Sequence, residues 1–418
     1  MSNPSIETQR QPLRELALIL IGIVVLVSVS VGAWMYLRPM GEQSAELDAA
    51  RELLASLQTN TDASERLDAA KAAESKLREY LEHGTQQKDA AELLLLAARL
   101  VQGPVDGFVS QVKQLDLSAV PTSDLLTTAF ITQSRQQPAI ADLVILEALD
   151  RKAPSDAELR GDVLRLATMI HYELGRSEEV LAYCQELIEM APADPGPYRV
   201  MAFVFEDRQD FNQLAETLRE LIQRMSHPED DPFQLQYIEA LIVLGQAADA
   251  RAEFDSLQKD SPQLLADAPL VRAKLLELEG RRDEALAVAK TVLSHQSDNV
   301  EALALVARVH SANDELADAV TQLQRILELT PSDEKVHYQL GKILARQGKL
   351  DEAQKHLNRH RELLDTKVEL NRLERVAAQR PADVKVRKHI ASLYRSLGWD
   401  AEARFWDHAA ETAMSITQ

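Results

Sequence analysis

From Glu334 to Asp365 the chain reads EKVHYQLGKILARQGKLDEAQKHLNRHRELLD, and its apolar positions recur at helical spacing. Leu340, Ile343 and Leu344 share one face of a first helix, while Leu350, Ala353 and Leu357 form a stripe on a second. Gly348 breaks the pattern between them, and the small Gly341 lets a neighbour approach closely. The stretch predicts two short amphipathic helices joined by a tight turn.

The same punctuation recurs upstream. Breaks after a first helix fall at Gly175, Gln209, Gly245, Gly280, Asp314 and Gly348, which lie 34, 36, 35, 34 and 34 residues apart. Five residues after each break stands Val180, Leu214, Ala250, Ala285, Ala319 or Ala353, mostly small side chains that let two helices cross closely. Pro192, Pro228, Pro262, Ser297 and Pro331 close the units, because proline cannot continue a helix.

This pattern resembles the tetratricopeptide repeat family. The match is strongest at Leu340-Gly341, Gly348, Ala353 and Leu357, and nearly as good through Ala307, Ala319 and Pro331. Arg272 departs from it where the family prefers an apolar residue, and Asp314 replaces the turn glycine. The resemblance implies an all-α, TPR-type α-solenoid, a right-handed superhelix of helix-turn-helix repeats. Six repeats are expected over 161–365, degenerate copies over 89–160 (Asp89 to Pro121 and Ser123 to Pro154), and a capping repeat over 384–418. Residues 38–88 read as a helical stalk or an eroded repeat. Residues 366–383 read as an extra helix or a continuation of the one before.

Residues 16–37 (LALILIGIVVLVSVSVGAWMYL) change the picture at the N-terminus. The run carries no charge and is long enough, at about 1.5 Å per residue, to cross a hydrocarbon core of about 30 Å. It predicts one N-terminal transmembrane helix, with a cleaved signal peptide as the competing reading. Arg10 and Arg14 precede it, while Arg38 is followed by Glu42, Glu46 and Asp48. That bias predicts a single-pass inner-membrane protein whose residues 1–15 stay cytoplasmic and whose repeats are extracytoplasmic, in a periplasm if there is one.

Composition narrows the function. Aromatic residues make up only 5%, glycines number 14, and the formal net charge is -20, which argues against nucleic-acid partners. The single cysteine, Cys184, excludes an internal disulfide and reads as a buried small hydrophobe. No phosphate loop, zinc-protease, nucleophile-elbow or Cys-x-x-Cys motif is present, so no catalytic, cofactor or metal residue is assigned. His356 and His360 share a helix face at metal-ligand spacing, but no third ligand is marked and the pair reads as half-buried. Asp283-Glu284 and Asp351-Glu352 begin second helices, where the macrodipole favours carboxylates.

The resemblance places the ninth residue of a unit on the groove side of its first helix. Those residues are Lys274, Arg308 and Lys342, with Lys335, Arg346, Lys385 and Lys388 nearby. In an acidic chain, such a ladder points to an acidic peptide or a free C-terminal carboxylate as partner. The alternative is solvated surface neutralised by Glu277, Glu301 and Glu334. The family's carboxylate-clamp asparagines are replaced by Val271, Leu305 and Gln339. The expectation is a non-enzymatic, membrane-anchored scaffold for protein partners, serving envelope biogenesis or protein secretion and assembly. Its alternatives are a cytoplasm-facing adaptor and an accessory subunit of a membrane enzyme complex.

Overall fold

The computed structural model describes residues 45–417 except 84–85, 104, 106, 136, 152–158, 226–231 and 380–382. The expected span 16–37 and its flanks lie outside the described residues. Among the described residues there are 21 α-helices, one 3-10 turn and no strand, and no helix is long and apolar enough to cross a membrane. They fall into two compact units that divide between Ala240 and Leu241.

In the first unit, α1 (Ala45–Ser56) and α2 (Ala63–His83) form a hairpin that packs on α3 (Lys88–Gln102). Leu47, Leu54, Leu77 and Leu94 are fully buried in their shared core, each such leucine contributing roughly 2 kcal/mol of transfer free energy. Arg51 ties α1 to the start of α5 (Thr122–Ser134) through Asp124, with Nη2–Oδ2 at 2.6 Å and Nε–Oδ1 at 3.0 Å. The expected copy from Asp89 to Pro121 lacks a full second helix. After α3, the sequence Gly103-Pro-Val-Asp-Gly107 interrupts the chain, and only the five-residue α4 (Phe108–Val112) and the 3-10 turn Leu117–Ala119 follow. Regular hairpins resume with α5 and α6 (Pro138–Asp150), α7 (Arg160–Glu173) and α8 (Ser177–Met190), then α9 (Gly196–Asp207) and α10 (Phe211–Arg224). Helix α11 (Phe233–Val243) crosses the division.

The second unit stacks hairpins in chain order. It holds α12 (Ala247–Asp260), the short α13 (Pro262–Asp267), α14 (Pro269–Leu278) and α15 (Arg282–His295), then α16 (Val300–Ala312) and α17 (Leu316–Leu329). Next come α18 (Glu334–Arg346), α19 (Leu350–Gln379), α20 (Val384–Ser396) and α21 (Asp400–Thr417). From α14 onward each helix packs on the next, as a solenoid requires. Pro262, expected to close a unit, instead opens α13 at a first helical position, where its missing N–H costs nothing.

All six breaks predicted from the repeat adopt left-handed backbone, from φ 55° at Gln209 to φ 78° at Gly280, and Gly398 does the same. The residues five positions later are buried throughout, each 3% exposed or less. Residues 366–379 form no separate helix. They continue α19 to 30 residues, about 45 Å, because neither glycine nor proline intervenes before Pro381. Its second half buries Leu370, Leu373 and Ala377 against Ile390 and Leu397 of the last hairpin, where Trp399 and Trp406 are half-buried.

Candidate partner-binding groove

The first helices of the second unit carry the predicted basic residues, and their neighbours decide how much charge is left over. Lys274 on α14 forms an ion pair with Glu301 on α16. Arg308 on α16 reaches back to Glu277 on α14 in a bidentate pair, Nε–Oε1 3.2 Å and Nη2–Oε2 2.9 Å. These two cations therefore belong to an alternating ladder that joins adjacent repeats. Arg346 on α18 is likewise engaged, donating to Asp314 Oδ1 at 2.9 Å and to the Ser311 carbonyl at 3.2 Å and hydroxyl at 3.0 Å.

The other four are placed differently. Lys335 and Lys342 on α18 and Lys385 and Lys388 on α20 are exposed, and none forms an ion pair among the described residues. Lys342 lies over the ring of Tyr338, 5.3 Å from its centroid. Tyr338 is itself exposed and stacks at 5.1 Å on His360. Glu334, expected to neutralise part of this set, is bonded by Lys367, with Nζ–Oε2 at 2.9 Å, and its charge is also felt by its neighbour Lys335. Burial pushes the Glu334 carboxyl up, but the Lys367 bond and the helix start prevail and hold it below its ordinary range.

Tyr338 and Lys367 are absent from the sequence-derived set. The spacing of Tyr338 and Lys342, four apart on one helix, was a legible signal for the first. Nothing in the sequence marked Lys367, because its reach to Glu334 depends on α19 running on without a break. Val271 and Leu305, which stand in place of clamp asparagines, are buried core residues, and Gln339 is half-buried, so nothing at those positions builds the carboxylate clamp.

The histidine pair foreseen on α19 does not close on itself. His356 meets His337 of α18, with Nδ1 to Nδ1 at 2.9 Å, while His360 Nδ1 meets the Glu334 carbonyl at 2.8 Å. Among the described residues one other group has metal-ligand character: His310, Glu315 and Asp318, with ligand atoms within 4.8 Å of one another. His310 Nδ1 is already bonded to Glu315, and both carboxylates sit at the start of α17, whose positive end stabilises them and opposes a cation. Cys184 is fully buried, and burial pushes its thiol up to about 12, so it packs rather than reacts.

The tetratricopeptide repeat family matches residues 276–338 and again 334–359. A tetratricopeptide repeat protein from Parabacteroides merdae is similar in structure, at 14% identity over 58% of this chain and 93% of that one, with a TM-score of 0.50. MamA 41-end from Desulfovibrio magneticus RS-1 matches at 20% identity, 50% and 96% coverage and a TM-score of 0.28. The human IFIT1 dimer with PPP-AAAA matches at 12% identity, 92% and 99% coverage and a TM-score of 0.35. No curated protein matches the chain. The first of these structures supports the fold; the other two scores are too low to add to it.

Proposed function

We propose, for a chain that belongs to the tetratricopeptide repeat proteins, a scaffold that captures an acidic protein segment on the first helices of its last repeats. Such repeats serve protein–protein interaction and are typically non-catalytic. The finer reading rests on one observation: Lys335, Lys342, Lys385 and Lys388 are exposed and form no ion pair among the described residues, and Lys342 lies over the exposed ring of Tyr338. Lys274, Arg308 and Arg346 hold repeats together and contribute less to capture. The partner is an extended acidic segment rather than a clamped C-terminal carboxylate, since two of the clamp positions are filled by the core residues Val271 and Leu305 and the third by Gln339. In this reading residues 16–37 anchor the scaffold in the inner membrane, with the repeats on the extracytoplasmic side and partners in envelope biogenesis or secretion.

The test uses a fluorescein-labelled glutamate-rich peptide as probe. Each exposed pair is worth about 0.2–1 kcal/mol, so reversing Lys335, Lys342 and Lys388 to Glu together is expected to weaken binding about tenfold or more. Added salt is expected to weaken wild-type binding in parallel. Equal affinity of wild type and triple variant would overturn the acidic-segment reading.

A further inference from the structure

Between α18 and α19, His337 and His356 meet ring to ring. Their Nδ1 atoms are 2.9 Å apart and their ring centroids 5.2 Å apart, with planes inclined at 31°. The centroid separation is close to the nitrogen separation plus the two ring radii, so the nitrogens face each other head-on. A metal ion held by both would need lone pairs converging off that line, at about 2 Å from each nitrogen. The head-on arrangement suits a single shared proton instead.

The hydrogen-bond network assigns that proton. His337 Nε2 lies 3.1 Å from the carbonyl oxygen of Pro331, which only accepts, so Nε2 carries a hydrogen. The neutral ring then presents a bare Nδ1 lone pair, and His356 Nδ1–H is the donor. His337 is buried and His356 half-buried, so water does not readily replace the bond.

We propose that the His337–His356 bond is a proton-operated clasp between the two helices of this repeat, closed while His337 is neutral and opened in mild acid. Because Nε2 of His337 already holds a hydrogen, a proton reaches that ring only at Nδ1, whereas a proton taken up at the bare Nε2 of His356 leaves the clasp closed. Addition at Nδ1 of His337 replaces an N–H···N bond by two opposed N–H groups, and no other covalent bond changes. Other charges bear on the rings. Asp333, at the N-cap of α18, favours a charged His337, whereas Arg359 and His360 on α19 oppose it. His356 feels Glu352 on its own helix, which favours its charged form, and His337 across the contact, which opposes it. Burial is the largest influence on both rings and pushes them below the ordinary histidine value.

The sign follows. An unfolded chain takes up these protons near pH 6.5, before the folded hairpin does. The clasp's stabilisation is therefore full above about pH 6.5 and is lost as pH falls through the lower folded values. Tyr338 follows His337 on α18 and stacks on His360 of α19, so opening the clasp also disturbs the exposed ring beside Lys342. The inference rests on the geometry of this hairpin and stands or falls apart from the acidic-segment reading.

The experiment is amide exchange on the full-length chain from about pH 8 to about pH 5. Protection factors for 334–360 are compared with those for 269–294, the hairpin two units back, which contains no histidine. Protection of 334–360 is expected to fall about tenfold further than the reference below about pH 6.5. His356→Gln, whose amide both donates and accepts, is expected to lose this excess. Parallel profiles for the two segments in the wild-type chain would overturn the proposal, as would an undiminished acid response in His356→Gln. The wild-type comparison decides the matter even if the variant folds poorly.

Discussion

At position 341 an added Cβ would stand 2.8 Å from Leu357 Cγ, 2.9 Å from its Cδ2 and 3.2 Å from the Ala353 carbonyl oxygen. Helix propensity alone favours alanine there by about 1 kcal/mol. Overpacking against a neighbouring helix costs about 1–3 kcal/mol, and the Ala353 carbonyl is backbone that cannot turn aside. Gly341→Ala is therefore expected to destabilise the protein by about 1 kcal/mol, read as a lower urea midpoint at unchanged slope; a raised midpoint would show that Leu357 simply moves away. This close approach was legible, because a small residue recurs where paired helices must cross. The turn positions were legible by register even where the residue was wrong for the role. Gln209 and Asp314 adopt left-handed backbone that L side chains rarely tolerate, and the 34-residue count found them when residue type did not. Asp314 also has a task its position did not reveal, accepting the Arg346 bond from the next repeat.

Within the first unit, α6 is latched to the last turn of α7 and the N-cap of α8. Asp142 on α6 accepts from His171 Nε2 at 2.8 Å and from Arg176 at 3.0 Å and 2.8 Å. Burial raises the Asp142 carboxyl, but His171 and Arg176 more than offset this and hold it below the usual carboxylate range. Its stabilisation is accordingly present above about pH 3.9, the unfolded value, and is lost as pH falls through the lower folded one. Asp142→Asn is expected to cost about 1.5 kcal/mol at pH 7, since it weakens the charge-assisted bonds from the buried His171 and the partly exposed Arg176. In thermal melts the difference between variant and wild type should shrink below about pH 3.9; a constant difference would assign the loss to packing alone. Nothing in the sequence marked this latch, because Asp142, His171 and Arg176 meet only after three helices dock. The same holds for α19. Its composition allowed either a continued or an inserted helix, and packing of Leu370, Leu373 and Ala377 on the last hairpin accompanies the continuous form.

For the whole molecule, the anchor and its orientation are argued from residues 10–48, and they make a prediction that the repeats cannot. A C-terminal tag on the full-length protein is expected to remain with the membrane fraction and to be cut by protease added to spheroplasts. A membrane-bound but protected tag would reverse the orientation and favour the cytoplasm-facing adaptor, and a soluble secreted tag would replace the anchor with a cleaved signal. Turn positions and the buried small residues were determined by the sequence itself, because a solenoid's contacts are between chain neighbours and its period is written in one dimension. Charge use was decided only in three dimensions. Of seven cations that looked alike along the chain, Lys274, Arg308 and Arg346 are neutralised by groups about one repeat away, while Lys335, Lys342, Lys385 and Lys388 form no such pair among the described residues. The histidines divide in the same way: His356 and His360 are neighbours on one helix, yet the bond forms between His356 and His337, nineteen residues apart. Hydrophobic periodicity repeats with the backbone and is legible in one strand of text. An ion pair or a shared proton depends on where two side-chain tips end, and that is settled only when adjacent helices pack.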